Sequence, residues 1–87
     1  MSLYAIEFIP SASRQFRKLT PAAKMQVLRV IDSLAENPRP HGYKKLHGTL
    51  KAFYRIDSGN FRVVYDIKDN VLIVIIVKVG DRRDVYK

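Results

Sequence analysis

The chain has 87 residues, a net charge of +8, two histidines and no cysteine. Without cysteine it cannot form disulfides or thiolate metal sites, and two histidines alone do not complete a structural zinc site. No secretory signal is visible and the longest apolar run, Val71–Val77, is too short to span a bilayer, so we expect one cytoplasmic domain over residues 1–87 that avoids membranes and binds a polyanion.

The first half of the chain predicts one strand and a short helix. Residues 3–9, LYAIEFI, alternate in the manner of a strand, with Tyr4, Ile6 and Phe8 on one face. Residues 10–19, PSASRQFRKL, predict a helix capped by Ser11, with Phe16 and Leu19 turned inward.

A longer helix follows. Thr20 is a good N-cap, Pro21 suits the first helical position, and Asn37-Pro38 stops the helix. Apolar residues at three- and four-residue spacings predict a stripe against the core. The residues of that stripe are Val27, Leu28, Ile31, Leu34 and Ala35. Residues 38–49, PRPHGYKKLHGT, predict a loop.

The second half predicts three strands and a short extended tail. The strands are residues 51–57, 60–68 and 70–79, joined by turns at Ser58-Gly59 and Asp69-Asn70. The continuous apolar run of the last strand indicates a position inside the sheet. The predicted fold class is therefore α+β, in the order β-α-α-β-β-β, with two N-terminal helices packed on a twisted, largely antiparallel sheet.

The positive charge is concentrated in two stretches without acidic residues, one between Glu7 and Asp32 and one between Glu36 and Asp57. Solubilising surfaces normally mix both signs, so this pattern favours a field that attracts nucleic acid or an acidic protein.

The stretch FYRIDSGNFRVVY, residues 53–65, predicts a hairpin with two arginines on one face. If its apolar side chains face the helices, Arg55 and Arg62 share the opposite face, and a turn at Ser58-Gly59 puts them directly opposite each other. Like charges in that position destabilise a sheet. Either Asp57 on the same face neutralises one of them, or an anion such as phosphate binds between them. The basic tail GDRRDVY, residues 80–86, favours the anion.

Taken together, these residues resemble the RelE/ParE toxin superfamily of type II toxin–antitoxin pairs. The resemblance rests on YKKLHGTLKAFYRIDSGNFRVVYDI, residues 43–67, on the apolar strand and on VGDRRDVY, residues 79–86. It implies the RelE-like microbial ribonuclease fold and a ribosome-dependent endoribonuclease, without metal or other cofactor, that cuts mRNA in the ribosomal A site. The implied partners are the ribosome with its mRNA and a cognate antitoxin protein.

The resemblance also implies roles for individual residues. The implied catalytic residues are Arg55, Arg62, Arg82 and Tyr86. The arginines would stabilise the charge of the scissile phosphate, and Tyr86 would orient the nucleophile or transfer a proton. The implied RNA and ribosome contacts are Lys44, Lys45, Lys51 and Arg83, and the sequence leaves Arg82 and Arg83 open as alternatives for the third catalytic arginine.

Two departures from the family pattern bear on activity. Asp57 stands where many relatives have a second basic residue, and Asp81 stands where the tail commonly has a histidine. Two alternatives therefore stay open: a ParE-like toxin that poisons DNA gyrase by binding it, and a toxin-like fold without activity.

Overall fold

The computed structural model describes residues 3–46 and 53–85. Within them the helices are α1 (Pro10–Arg17), α2 (Pro21–Glu36) and α3 (Arg82–Val85). The strands are β1 (Ala5–Phe8), β2 (Lys44–Leu46), β3 (Phe53–Ser58), β4 (Phe61–Lys68) and β5 (Ile73–Asp81). They form a sheet in the order β1-β5-β4-β3-β2, in which only the pair β1–β5 is parallel. The predicted α+β class and its largely antiparallel sheet are confirmed.

Helices α1 and α2 cover one face of the sheet, which we call the inner face. The core there combines Ala12 of α1 and Ile31 of α2 with Tyr65 of β4 and Ile76 of β5, each at most 1% exposed. Burial of such apolar side chains is the main driving force for folding. The interior position predicted for the apolar strand is correct, because β5 lies between β1 and β4.

The helix ends differ in how well the sequence predicted them. Thr20 caps α2 as predicted, since its Oγ1 accepts a hydrogen bond of 3.3 Å from the Ala23 amide. The cap predicted at Ser11 is wrong, because Ile9 occupies the N-cap position of α1 without a side-chain bond and Pro10 starts the helix. Leu28 was predicted to face the core but is 41% exposed, on the solvent side of α2.

The hairpin turn lies one residue further along than predicted, at Gly59-Asn60. Ser58 pairs with Phe61 and Asp57 pairs with Arg62, so Arg55 lies opposite Val64 and not opposite Arg62. The reason is Gly59, whose φ of 57° is easy for glycine and uncommon for other residues. Each β3 residue is therefore paired with a β4 residue two positions further along than predicted. A shift by an even number of residues leaves every side chain on its predicted face, so Arg55 and Arg62 both lie on the outer face, which is the side of the sheet away from the helices.

Three further predictions are corrected. Residues 44–46 form strand β2 where a loop was predicted. The connection between β4 and β5 runs from Asp69 to Leu72, and Leu72 has a φ of 55°. The tail forms α3 where an extended segment was predicted, and its Arg82 amide donates a 2.8 Å hydrogen bond to the Asn60 carbonyl. This bond holds the start of α3 beside the hairpin turn.

Candidate active site

The two hairpin arginines converge on one carboxylate on the outer face of the sheet. Asp57 lies directly across from Arg62 and two residues beyond Arg55 on the same strand, so all three side chains leave the sheet on one side. Arg62 grips Asp57 with two nitrogens, Nε at 2.5 Å from Oδ1 and Nη2 at 2.8 Å from Oδ2. The Nη1 atom of Arg55 donates to Oδ2 at 3.2 Å.

Arg82 joins this group from α3. Its Nη1 lies 3.8 Å from Oδ2 of Asp57, within ion-pair distance. Arg83 points elsewhere: its Nε donates to Oδ1 of Asp81 at 3.1 Å and its side chain is 89% exposed. Of the two arginines between which the sequence left the choice open, Arg82 is the one that lies within ion-pair distance of Asp57, and its catalytic role stays a prediction. We call Arg55, Asp57, Arg62 and Arg82 the arginine cluster.

The members of the arginine cluster differ in how far water reaches them. The side chain of Arg62 is 7% exposed, that of Arg55 18% and that of Arg82 51%. A buried guanidinium needs a counter-charge, and Asp57 supplies it. The hydrogen bonds from Arg62 hold the pKa of the Asp57 carboxyl below its usual range, so the carboxylate is ionised at neutral pH.

The arginine cluster carries an excess of positive charge that can attract an anion. Three guanidinium groups and one carboxylate give the four residues of the arginine cluster a net charge of +2, and Arg82 is the arginine among them that is most open to solvent. Arginine forks match the oxygens of phosphate as well as those of carboxylate. The arrangement is therefore suited to bind a phosphate group and to stabilise additional negative charge that develops on it.

The predicted RNA-contacting lysines divide between the two faces. Lys44 pairs with Arg55 and shares the outer face, whereas Lys45 pairs with Tyr54 and so leaves the opposite face. Both are exposed. Lys51 and Tyr86, predicted as an RNA contact and a catalytic residue, lie outside the described residues.

Sequence reasoning missed Lys78. It pairs with Val64, which in turn pairs with Arg55, so Lys44, Arg55, Val64 and Lys78 form one row across four strands of the outer face. A bulge opposite Val64 and Tyr65 shifts the pairing of β5 just before this point. Alternation along the strand would turn Lys78 to the same face as the buried Val74 and Ile76, and the bulge turns it to the outer face instead. The signal in the sequence was the charge itself, between Val77 and Val79.

An apolar groove adjoins this row. Its volume is about 420 Å³, and it is lined by Ile9, Ser11, Leu46, Phe53, Val64, Val77 and Lys78. Because Val64 is the strand partner of Arg55, the groove begins where the arginine cluster ends.

Residues 3–46 and 53–85 contain no group of three or more His, Cys, Asp or Glu side chains arranged to hold a metal ion. None of the described helices is both long and apolar enough to cross a membrane.

Comparison with known proteins gives a consistent family. Residues 6–86 match the model of the ParE toxin of type II toxin–antitoxin systems, parDE. A protein of Escherichia coli described as RelE-like toxin is 33% identical over 95% of this chain and 90% of its own length. The mRNA interferase toxin RelE of Escherichia coli K12 is 28% identical over the same shares. The toxin–antitoxin complex RelBE2 of Mycobacterium tuberculosis contains a chain that is 28% identical, with 97% of each chain covered and a TM-score of 0.82.

Proposed function

Because the chain belongs to the RelE/ParE superfamily of type II toxin–antitoxin toxins, we propose that it is an endoribonuclease that inhibits translation by cutting mRNA in the ribosomal A site. The observation that carries the proposal is the arginine cluster, in which three guanidinium groups lie within 3.8 Å of one carboxylate. The relative named mRNA interferase, 28% identical over nearly the whole chain, supports the substrate class.

The proposed reaction is a transesterification within the RNA backbone, and it needs cations beside the phosphate and a group that transfers protons. The ribose 2′-hydroxyl gives up its proton and its oxygen attacks the adjacent phosphorus in line. The bond from phosphorus to the 5′-oxygen breaks, and that oxygen takes up a proton, so the products are a 2′,3′-cyclic phosphate and a 5′-hydroxyl. Negative charge builds up on the phosphate oxygens during this step, and preorganised cations beside those oxygens lower the barrier. Arg55, Arg62 and Arg82 would have this role, with half-exposed Arg82 nearest to the incoming RNA.

Proton transfer requires another group, since arginine stays protonated in proteins. Tyr86 is the proposed residue. An ordinary tyrosine has a pKa of about 10, and neighbouring arginines lower such a pKa by favouring the phenolate. Two of the described tyrosines are poor substitutes, because Tyr54 and Tyr65 face the inner side of the sheet and burial raises the pKa of Tyr65.

Positioning on the ribosome would fall to basic side chains that are not part of the arginine cluster. Lys44, Lys45, Lys51 and Arg83 are the proposed contacts with ribosomal RNA, and they act by holding the backbone phosphates. Lys78 extends this surface on the outer face. The apolar groove beside Val64 gives a nucleobase of the message a surface to pack on. A ribosomal target implies action in the cytoplasm.

A cognate antitoxin is the proposed regulator. The structure of RelBE2 from Mycobacterium tuberculosis is described as a toxin–antitoxin complex, and its similarity to this chain supports a protein partner of the same kind. The net charge of +8 predicts that the contacting segment of that partner is acidic.

Gyrase poisoning is the second candidate, because the matching family model is that of ParE. The relatives named RelE argue against it. The arginine cluster does too, since a protein-binding toxin has no need to hold three guanidinium groups at one point.

Primer extension tests the proposal. Purified protein is added to an extract translating a defined message, and we expect discrete cuts confined to ribosome-bound message. Arg82→Ala and Arg29→Ala are matched variants, because each removes one exposed arginine and Arg29 lies on α2, across the sheet from the arginine cluster. Loss of cutting in Arg82→Ala alone supports the proposal. Intact message alongside arrested growth contradicts it and points to gyrase.

A further inference from the structure

The position that suits a phosphate group is already occupied by a side chain of the protein. Asp57 accepts hydrogen bonds on both of its carboxylate oxygens, and the two bonds from Arg62 have the fork geometry in which guanidinium binds two oxygens of one group. The two non-bridging oxygens of a phosphodiester are gripped by guanidinium in the same way. Asp57 therefore takes up the Nε and Nη2 positions of Arg62 that a phosphate would use.

The other two arginines share this ligand. Oδ2 of Asp57 lies 3.2 Å from Arg55 and 3.8 Å from Arg82, so one carboxylate oxygen attracts three guanidinium groups at once. The nitrogen-to-oxygen distances to Asp57 lengthen in the order in which side-chain exposure rises, from Arg62 through Arg55 to Arg82. A phosphate that approaches from solvent meets the most loosely held arginine first and competes for the others.

We infer that Asp57 is a built-in ligand of the arginine cluster, which the scissile phosphate must displace, and that Asp57 thereby sets the affinity of the site for phosphate. This inference rests on the proposed function for the identity of the phosphate. A free phosphate or an RNA without other contacts gains little, because Nε and Nη2 of Arg62 already donate to Asp57 and a phosphate in that fork would replace those two bonds. An RNA held in place by additional contacts supplies the binding energy for the exchange, so the site favours RNA that is already positioned.

The size of the effect follows from the charge that Asp57 carries. Removing one charge at contact distance changes the affinity for a charged partner by between about fivefold and a thousandfold, depending on how strongly water screens that charge. The lower part of that range suits a cluster whose outer arginine is half exposed. Asp57→Asn keeps the shape and removes the charge, so we expect it to bind inorganic phosphate about tenfold more tightly, which corresponds to about 1.4 kcal/mol.

Two further variants control the test. Asp57→Glu keeps the charge and should stay within about twofold of the parent. Asp69→Asn makes the same change in net charge at an exposed carboxylate that Arg39 grips with bonds of 3.1 and 2.9 Å. Asp69 follows the last residue of β4, seven residues beyond Arg62 and so about 20 Å away along the strand.

The measurement is a titration of each folded variant with inorganic phosphate, followed by NMR at the arginine Nε–H groups. A tenfold tighter response of the Arg62 signal in Asp57→Asn, with the two controls near the parent, supports the inference. Unchanged or weaker binding in Asp57→Asn, or equal tightening in Asp69→Asn, overturns it. Phosphate binding involves no RNA cleavage, so intact message in the primer-extension assay refutes the proposed function without touching this result. Cut message together with unchanged phosphate binding in Asp57→Asn refutes the inference alone.

Discussion

Replacing Arg62 with alanine should cost far more stability than replacing either of the other two arginines. Arg62 is 7% exposed and donates two hydrogen bonds to Asp57, each worth about 1.5–3 kcal/mol because its partners are charged. Breaking a fully buried ion pair costs about 3–5 kcal/mol. Asp57 is 26% exposed and keeps two other arginines, so we expect a loss of about 3 kcal/mol in the free energy of unfolding.

The comparison with Arg55→Ala and Arg82→Ala makes the prediction specific. Arg55 donates one bond of 3.2 Å, so its loss should cost about 1 kcal/mol. Arg82 lies 3.8 Å away and half exposed, so its loss should cost less than about 0.5 kcal/mol. Urea unfolding followed by circular dichroism measures all three. With a total stability of about 4–13 kcal/mol expected for a chain of this size, even Arg62→Ala should stay folded at low temperature. Its midpoint of thermal unfolding should fall by roughly 12–24 °C. Equal losses in the free energy of unfolding for the three variants would contradict the conclusion that Arg62 is the main ion-pair partner of Asp57.

Three further changes test other parts of the structure. Asp57 has a lowered pKa in the folded protein, so its stabilising contribution is present near pH 7 and is lost as the pH falls through about 4 and below. When the free energy of unfolding is measured against pH, the difference between the parent and Asp57→Asn should therefore shrink in acid. A difference that stays constant with pH would contradict this. Thr20→Ala should lower the free energy of unfolding by about 1 kcal/mol through loss of the α2 cap, whereas Ser11→Ala should not. Gly59→Ala should lower the free energy of unfolding by about 1–2 kcal/mol, because φ there is 57° and the added carbon would lie 2.5 Å from Nε2 of Gln26. An unchanged urea midpoint would contradict the backbone conformation described for this turn.

The sequence predicted what alternation and capping determine locally. Tyr65 faces the core and Thr20 caps a helix because each depends on its immediate neighbours, and the shared face of Arg55 and Arg62 follows from alternation along two strands. The exact register did not follow, because it depends on where the turn forms. Gln26 of α2 donates a 2.8 Å hydrogen bond to the Ser58 carbonyl, a contact between residues 32 positions apart that no local pattern indicates.

The members of the candidate site from outside the hairpin were harder to predict. Arg82 and Arg83 are neighbours with the same chemistry, and what separates them is the direction in which α3 turns after the Arg82 amide bonds to Asn60. Strand β2 has only three residues and forms by pairing with β3, so its own sequence carries little signal. Asp57 was recognised as one possible neutralising charge, but its contact with three arginines required the fold.

The most direct test of the central claim uses purified ribosomes that carry a short message in the A site, in an all-ribose form and in a form with a single 2′-deoxyribose at the position of the cut. Under single-turnover conditions the protein should cut the all-ribose message and leave a 2′,3′-cyclic phosphate, while the deoxy message stays intact and Arg82→Ala cuts neither. Cleavage of the deoxy message, or undiminished cleavage by Arg82→Ala, would contradict attack by the 2′-hydroxyl on a phosphate held by the arginine cluster.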